Sequence, residues 1–226
     1  MHRLQRLWRA VRFPGLPKPP VGAFAGAQWY DSMYLRRSAA YDCHYTASPY
    51  YFVWTVIADR VRTAESILDV GCGPGQLAQL LMEQRLRDYV GVDISEVAID
   101  MARERVPGAK FLVEDVCTGT TVATSKVDVV IATEALEHLD DDLGLLGQIA
   151  AGTRVVATVP NFDWPSHVRH FPDEKAVLDR YAPLFGEVDV VAIRKNEAGR
   201  IFYLIDGIIA TRDLPARGQH ASRGEG

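Results

Sequence analysis

The chain has 226 residues, of which 48% are hydrophobic and 24% are charged, as is ordinary for a globular domain with one core. The formal net charge is −4, which argues against a nucleic-acid partner, because such partners favour a positive surplus. No apolar run reaches the roughly 18 residues that would span a membrane. The three cysteines, Cys43, Cys72 and Cys117, form no disulfide or metal motif, which favours a reducing cytoplasm.

The first 20 residues combine a basic segment with a linker. Arginines recur at every third position from Arg3 to Arg12 with apolar residues between them, a spacing that predicts an amphipathic helix. Such a helix binds an anionic membrane or a partner, or it packs on its own domain or on a second copy of the chain. We favour packing, which makes a homodimer one of our expectations. The proline-rich residues 14–20 predict the linker.

Residues 21–62 are rich in aromatic side chains. Tyr30 and Tyr34 are four residues apart, as are Tyr41 and Tyr45, so each pair shares a helix face. The aromatic rings of this segment either pack as core against the rest of the domain or line a pocket.

Residues 63–212 alternate between strand and helix patterns. We predict strands near 66–70, 89–93, 109–113, 127–132 and 153–159, and helices near 76–86, 96–105, 139–150 and 173–183. This alternation predicts an α/β fold, in which a doubly wound, mostly parallel sheet carries helices on both faces.

The end of the chain completes a seven-stranded sheet. Two late strands, near 187–194 and 199–206, are joined by turn residues 196–199 and predict an antiparallel terminal hairpin. The tail at 213–226 has no apolar periodicity, and we expect it to be disordered.

The stretch from residue 66 to 81 reads SILDVGCGPGQLAQLL and predicts a strand, a tight turn and the start of a helix. Its glycines, at 71, 73 and 75, let a ligand approach the backbone closely. Gln76 and Leu77 exclude a phosphate-binding P-loop, which needs Lys and then Ser or Thr at these positions. The dinucleotide fingerprint is one residue longer than this turn.

Two acidic residues narrow the choice of ligand. Asp69 lies in the turn segment, where it would repel a pyrophosphate and attract a cationic amino group. Asp93 ends the second predicted strand, a position suited to binding both hydroxyls of a ribose. A ribose joined to a cationic amino acid describes S-adenosylmethionine.

The chain resembles the class I S-adenosylmethionine-dependent methyltransferases in four motifs that share the family's order and spacing. These are ILDVGCGPG at 67–75, VGVDIS at 90–95, EDV at 114–116 and VDVVIATEALEHL at 127–139. The resemblance implies a Rossmann-like fold, S-adenosylmethionine as cofactor and methyl transfer as the reaction. It also implies that residues 21–62 form a helical lid, with Tyr30, Tyr34 and Tyr45 as candidate acceptor contacts.

The resemblance further implies cofactor contacts at the carboxyl ends of the strands. The first such end holds the methionine part, the second the ribose, the third the adenine, and the fourth lies along the methyl group. The residues concerned are Asp69, Gly71, Cys72, Gly73, Gly75, Asp93, Ile94, Asp115, Val116, Glu134 and Ala135.

Three histidines are candidates for a general base, because an unperturbed histidine titrates near neutrality. His138 occurs in a segment, EHL, that is frequent in family members with unrelated acceptors, so we prefer a structural role for it. His167 and His170 lie in the long loop after the fifth strand, and such loops are usually functional. His167 is favoured because it is nearer to the strand.

The same loop supplies the candidate acceptor contacts Asn161, Trp164 and Arg169, unless it merely packs on the lid. His167 and His170 are three residues apart, a spacing that also occurs in metal sites. The missing third ligand and the adjacent arginine argue against a metal, and we predict none.

We expect the acceptor to be a small molecule whose hydroxyl or amine attacks the methyl group in line. Two alternatives remain. One is a methyltransferase for tRNA or protein that docks through the basic N-terminal helix. The other is a protein that binds the cofactor without transferring methyl.

Overall fold

The computed structural model of the protein describes residues 22–36, 39–164, 166–195 and 199–211. The predicted basic helix and linker at 1–20, most of the turn at 196–199 and the tail at 213–226 lie outside these residues. Within them, every helix is too short or too polar to cross a membrane.

One sheet of seven strands organises the described part of the chain. The strands are β1 (Ser66–Val70), β2 (Asp88–Asp93), β3 (Lys110–Val113), β4 (Val129–Thr133), β5 (Arg154–Pro160), β6 (Phe185–Arg194) and β7 (Ile201–Ile209). Their order is β3-β2-β1-β4-β5-β7-β6. Strands β1 to β5 are parallel, and β7 runs antiparallel between β5 and β6. The predicted α/β fold and terminal hairpin are confirmed, and the strand order reverses between β1 and β4, where such sheets bind ligands.

Eight α-helices surround the sheet in the described ranges. They are α1 (Ala27–Leu35), α2 (Ala39–Asp42), α3 (Tyr51–Arg60), α4 (Gln76–Glu83), α5 (Glu96–Arg105), α6 (Thr121–Thr124), α7 (Asp142–Gln148) and α8 (Glu174–Tyr181).

The helix predicted at 139–150 begins too early. Leu136–His138 forms a separate 3₁₀ turn, and Leu139 after it is extended, with φ −98° and ψ 133°. Helix α7 begins only after Asp141, whose carboxylate accepts a hydrogen bond from the Gly144 N–H and caps the helix. The cap therefore separates a short turn at the end of β4 from the helix that packs on the sheet.

The central strands are buried on both faces, which explains their continuous apolar sequence. Along β1, Ile67 and Leu68 are both fully buried but belong to different core clusters on the two sides of the sheet. The sheet is therefore a rigid support for the loops at its carboxyl edge.

All three glycines of the turn between β1 and α4 have positive φ. Gly71 has φ +74° and Gly75 has φ +76°, the left-handed region that other residues avoid. A Cβ on Gly75 would lie 2.9 Å from Cβ of Ala102, so this glycine also lets α4 approach α5.

The aromatic N-terminal segment is tied to the helices that follow β1 and β2. The carboxylate of Asp31 on α1 accepts hydrogen bonds from the Ser95 hydroxyl at 2.6 Å and the Val97 N–H at 3.1 Å. The Gln76 side-chain amide on α4 donates to the carbonyls of Ala40 and Cys43. These contacts hold the segment against the same edge of the sheet as the glycine turn.

Candidate active site

A cavity opens between the aromatic N-terminal segment and the carboxyl ends of the parallel strands. Every predicted cofactor residue lines it except Gly75, which caps α4 instead. In the described part of the chain, no lysine or arginine lines the cavity. Its walls therefore present acidic and aromatic groups, which favour a cationic ligand. Five of the side chains predicted to bind or act on the acceptor also line the cavity: Tyr30, Tyr34, His138, Trp164 and His167. Of these, Trp164 is exposed.

Asp69 is a buried acid beneath the glycine turn. Its carboxylate accepts a hydrogen bond of 2.5 Å from the hydroxyl of Tyr89 on β2. Burial raises the pKa of Asp69 to about 7, the Tyr89 hydrogen bond opposes that rise, and the charge of Asp93 adds to it. A cation placed beside this carboxylate would favour its ionised form.

Asp93 at the end of β2 links the second strand to the glycine turn. Its two oxygens accept hydrogen bonds from the Gly73 N–H at 2.9 Å and the Ser95 N–H at 2.8 Å. Burial raises the pKa of Asp93 to about 6, although these hydrogen bonds favour its ionised form. Two buried acids without a lining cation fit the ribose and ammonium of S-adenosylmethionine and do not fit a pyrophosphate.

Glu134 follows β4 in a strained conformation, with φ +52°. The hydroxyl of Thr158 on β5 holds it in place, since it accepts from the Glu134 N–H at 3.0 Å and donates to the Glu134 carboxylate at 3.1 Å. Burial raises the pKa of Glu134 to about 8. The chain thus positions an acidic side chain and the adjacent backbone of Ala135 in the wall of the cavity.

Glu137, His138 and His167 form a compact cluster next to Glu134. The Nε2 atoms of His138 and His167 each lie 4.0 Å from Oε1 of Glu137. Burial lowers the pKa of His138 to about 4 and lowers that of His167, so both rings are neutral near pH 7. Burial and the charge of Glu134 raise the pKa of Glu137.

The loop after β5 reaches this cluster by docking on the 3₁₀ turn that follows β4. The Val168 N–H donates to the Glu137 carbonyl at 2.7 Å. The Arg169 guanidinium donates to the carbonyls of Leu136 at 2.8 Å and Leu139 at 2.6 Å. Arg169 does not line the cavity, so its predicted acceptor contact is corrected to a clamp that holds the two loops together.

Three other predicted residues also lie outside the cavity lining. Tyr45 belongs to the aromatic N-terminal segment and donates its hydroxyl to Glu83 on α4 at 2.6 Å. Asn161 braces the terminal hairpin, where its side chain accepts from the Ile201 N–H. His170 is about half exposed, with its Nδ1 3.7 Å from a carboxylate oxygen of Asp163. Each of these side chains therefore has a partner that draws it away from the acceptor space.

Several residues of the cavity were not predicted from the sequence. Ser166, whose backbone oxygen lies 3.0 Å from Nδ1 of His138, has no motif that would identify it. Glu137 does not line the cavity but lies beside His138 and His167, and its available signals were the adjacent His138 and the spacing to Glu134. The remaining additions include five aromatic residues: Phe24, Trp29, Tyr41, Tyr50 and Trp54.

Comparison with known proteins agrees with this geometry. Residues 67–154 match the family described as a methyltransferase domain. A trans-aconitate 2-methyltransferase of Mycolicibacterium gilvum is 32% identical over 181 residues, which are 71% of this chain and 67% of that protein. The solved N-methyltransferase NodS from Bradyrhizobium japonicum, in complex with S-adenosyl-L-homocysteine, shares the fold with a TM-score of 0.55 at 17% identity. That match covers 68% of this chain and 84% of NodS.

Other relatives are matched over a shorter region. A trans-aconitate 2-methyltransferase of an Acidovorax species is 32% identical over 125 residues, 51% of this chain and 47% of that protein. The chain thus spans about half the length of such relatives. The match to the Mycolicibacterium enzyme, the methyltransferase domain and the fold together show that the chain belongs to the class I S-adenosylmethionine-dependent methyltransferases.

Proposed function

We propose that this protein transfers a methyl group from S-adenosylmethionine to a hydroxyl or an amine of a small molecule. The observation that carries the proposal is the pair of buried acids, Asp69 and Asp93, beneath a glycine turn in a cavity without a described lining cation. The family to which the chain belongs uses this cofactor, and its ribose and ammonium match the two acids.

The bound cofactor supplies an electrophilic methyl group on a positively charged sulfur. Glu134 and the aromatic wall are proposed to favour that positive charge, through Coulomb attraction and cation–π contact. The same wall excludes water and holds the acceptor in line, which supplies much of the acceleration. His138 and His167 are proposed as general bases that take the proton of an acceptor hydroxyl, because both are neutral at pH 7 and line the cavity.

We propose an acceptor without several negative charges. The curated relatives are named for trans-aconitate, but a compound with several carboxylates would meet acidic walls here and no described lining cation. Aromatic rings such as those of Trp29, Tyr41 and Tyr50 favour a neutral or cationic molecule with an apolar body.

We also propose that residues 22–62 act as a lid. Its aromatic side chains share the cavity with the sheet edge, and Asp31 and Gln76 tie it to the helices that begin at that edge. The division of the chain at residue 62 into lid and catalytic domain belongs to the same proposal.

Calorimetric titration with S-adenosylmethionine and, separately, with NAD tests the cofactor assignment. We expect micromolar binding of S-adenosylmethionine alone. Asp93→Ala should weaken it by roughly 1–3 kcal/mol, because a charge-assisted hydrogen-bond pair is lost. Binding of NAD but not of S-adenosylmethionine would overturn the assignment.

Release of S-adenosylhomocysteine with a panel of neutral hydroxyl and amine compounds tests the activity. Tight cofactor binding without release in any case would favour a protein that binds the cofactor and does not methylate.

A further inference from the structure

In the cluster of Glu137, His138 and His167, one ring nitrogen of each histidine lies near the same carboxylate oxygen. His138 Nδ1 lies 3.0 Å from the Ser166 carbonyl oxygen, and His167 Nδ1 lies 3.2 Å from the Phe162 carbonyl oxygen. A carbonyl oxygen only accepts, so these two contacts assign the ring proton to Nδ1. In this tautomer the Ser166 hydroxyl, 3.2 Å from Nδ1 of His138, is a second acceptor. Both Nε2 atoms therefore keep a free lone pair, and both lie 4.0 Å from Oε1 of Glu137.

Backbone hydrogen bonds to Nδ1 are the arrangement that orients histidines in metal sites. A ligating histidine almost always donates its other ring N–H to a carbonyl, a carboxylate or water, which sets both tautomer and ring direction. Here the loop after β5 provides that support to both rings, through the carbonyl of Ser166 for His138 and the carbonyl of Phe162 for His167.

Glu137 supplies an independent observation. Its side chain is fully buried, and neither carboxylate oxygen has an N–H or hydroxyl partner among the described residues. Its polar neighbour is the carboxyl of Glu134, which is close enough to share a proton with it. A buried carboxylate without a partner is costly, and buried charges are normally paired or bound to a metal. This carboxylate is aimed at the two free lone pairs.

The backbone around the cluster is also under strain. Of the three residues other than glycine that have positive φ in the described ranges, Glu134 and Ser166 flank the cluster. Such strain concentrates at functional sites, where the surrounding structure maintains it. Ser166 has φ +82°, and the carbonyl oxygen of this strained residue is the one that faces His138.

We propose that Glu137, His138 and His167 bind a divalent transition-metal ion, with zinc, cobalt and manganese as the candidates. Two imidazole nitrogens and one carboxylate oxygen suit such ions, whereas magnesium favours an all-oxygen set. The ligand atoms all lie within 4.8 Å of one another. In a tetrahedral site, zinc bonds of about 2.0–2.2 Å place ligand atoms roughly 3.3–3.6 Å apart, so binding requires the ligand atoms to move together by roughly 0.5–1.5 Å.

Three protein ligands leave coordination positions open. His138 and His167 line the cavity, so these positions face the acceptor space. An acceptor hydroxyl would complete the coordination there, and the ion would lower the pKa of that hydroxyl so that it loses its proton to water. The histidines would then hold the ion and would not take the proton themselves. This last step rests on the proposed function, but the metal site does not.

The test uses tag-free protein that has been treated with EDTA and dialysed. Calorimetric titration with Zn²⁺ and visible absorption on adding Co²⁺ report ion binding without any acceptor. We expect about one ion per chain and the visible bands of low-coordinate Co²⁺. Glu137→Gln and His167→Asn should each weaken binding by at least about tenfold, the smallest loss usual for a disturbed metal shell.

His170→Asn is the matched control, because His170 lies in the same loop but outside the cavity. It should bind the ion as the unchanged protein does, and circular dichroism should show all variants folded. Equal ion affinity in His167→Asn and His170→Asn, or no ion bound by the folded unchanged protein, would overturn the proposal.

Titration of the same samples with S-adenosylmethionine separates the two proposals. Ion binding without cofactor binding would leave the metal site standing and remove the methyltransferase assignment. Cofactor binding without ion binding would leave the methyltransferase assignment standing and remove the metal site.

Discussion

The two ends of the cavity are built in different ways. At the cofactor end, Asp69, Gly73 and Asp93 belong to two neighbouring strands and their turns, and the Gly73 N–H donates a hydrogen bond to the Asp93 carboxylate. At the acceptor end, Glu137, His138 and His167 come from two loops that meet only through docking. Local motifs therefore define the first end, whereas long-range contacts define the second.

The largest expected effect concerns the buried acid at the cofactor end. The pKa of Asp69 is about 7 in the folded chain, against an ordinary aspartate value of 3.8. The folded state then binds more protons than the unfolded state, so without added cofactor stability falls as pH rises from about 4 to about 7. The slope is at most about 1.4 kcal/mol per pH unit for this one group.

Denaturant unfolding of the unchanged protein and of Asp69→Asn between pH 4 and 8 measures this slope. The asparagine keeps an acceptor for Tyr89 but does not titrate, so the variant should gain stability relative to the unchanged protein as pH rises. Asp93, Glu134 and Glu137 titrate in both proteins, and the difference isolates Asp69. Parallel pH curves for the two proteins would contradict the prediction.

A second substitution tests whether backbone shape defines the cofactor end. Gly75→Ala should lower the free energy of unfolding by about 3 kcal/mol, because strain at φ +76° adds to a clash with Ala102 at 2.9 Å. Gly152→Ala is the matched control, with φ +83° and open space around its added Cβ. It should cost only about 1 kcal/mol. Equal losses would show that the approach of α4 to α5 is unimportant.

The smallest effect is expected from the clamp at the acceptor end. Arg169→Met should cost about 2 kcal/mol of stability, since three carbonyl hydrogen bonds and a 3.2 Å ion pair with Asp142 are lost. The cofactor affinity should change by less than about threefold, because the clamp holds only the loops after β4 and β5. Ion affinity should fall with the loss of docking.

Arg180→Met provides the comparison for the clamp. Arg180 also pairs with Asp142, from α8, but it makes no bond to the turn at Leu136–His138. Arg180→Met should lower the free energy of unfolding and leave the affinity for the proposed metal ion unchanged. A cofactor affinity that falls as much as the ion affinity in Arg169→Met would show that the two ends of the cavity are not independent.

The α/β fold, the terminal hairpin and the use of S-adenosylmethionine as cofactor could be predicted from the sequence alone. Strand periodicity, the glycine turn and the two acids are local features, and the parallel order brings their ends together without further information. Helix limits were less well determined, because a side-chain cap such as that of Asp141 competes with a continuing apolar pattern.

The set of residues at the acceptor end became known only from the tertiary structure. Residue spacing paired His167 with His170, whereas docking of the loop through Val168 and Arg169 pairs His167 with His138 and Glu137 instead. The physical reason is that a metal ligand set or a clamp depends on distances between loops, and the hydrogen bonds that set those distances join residues far apart in the chain.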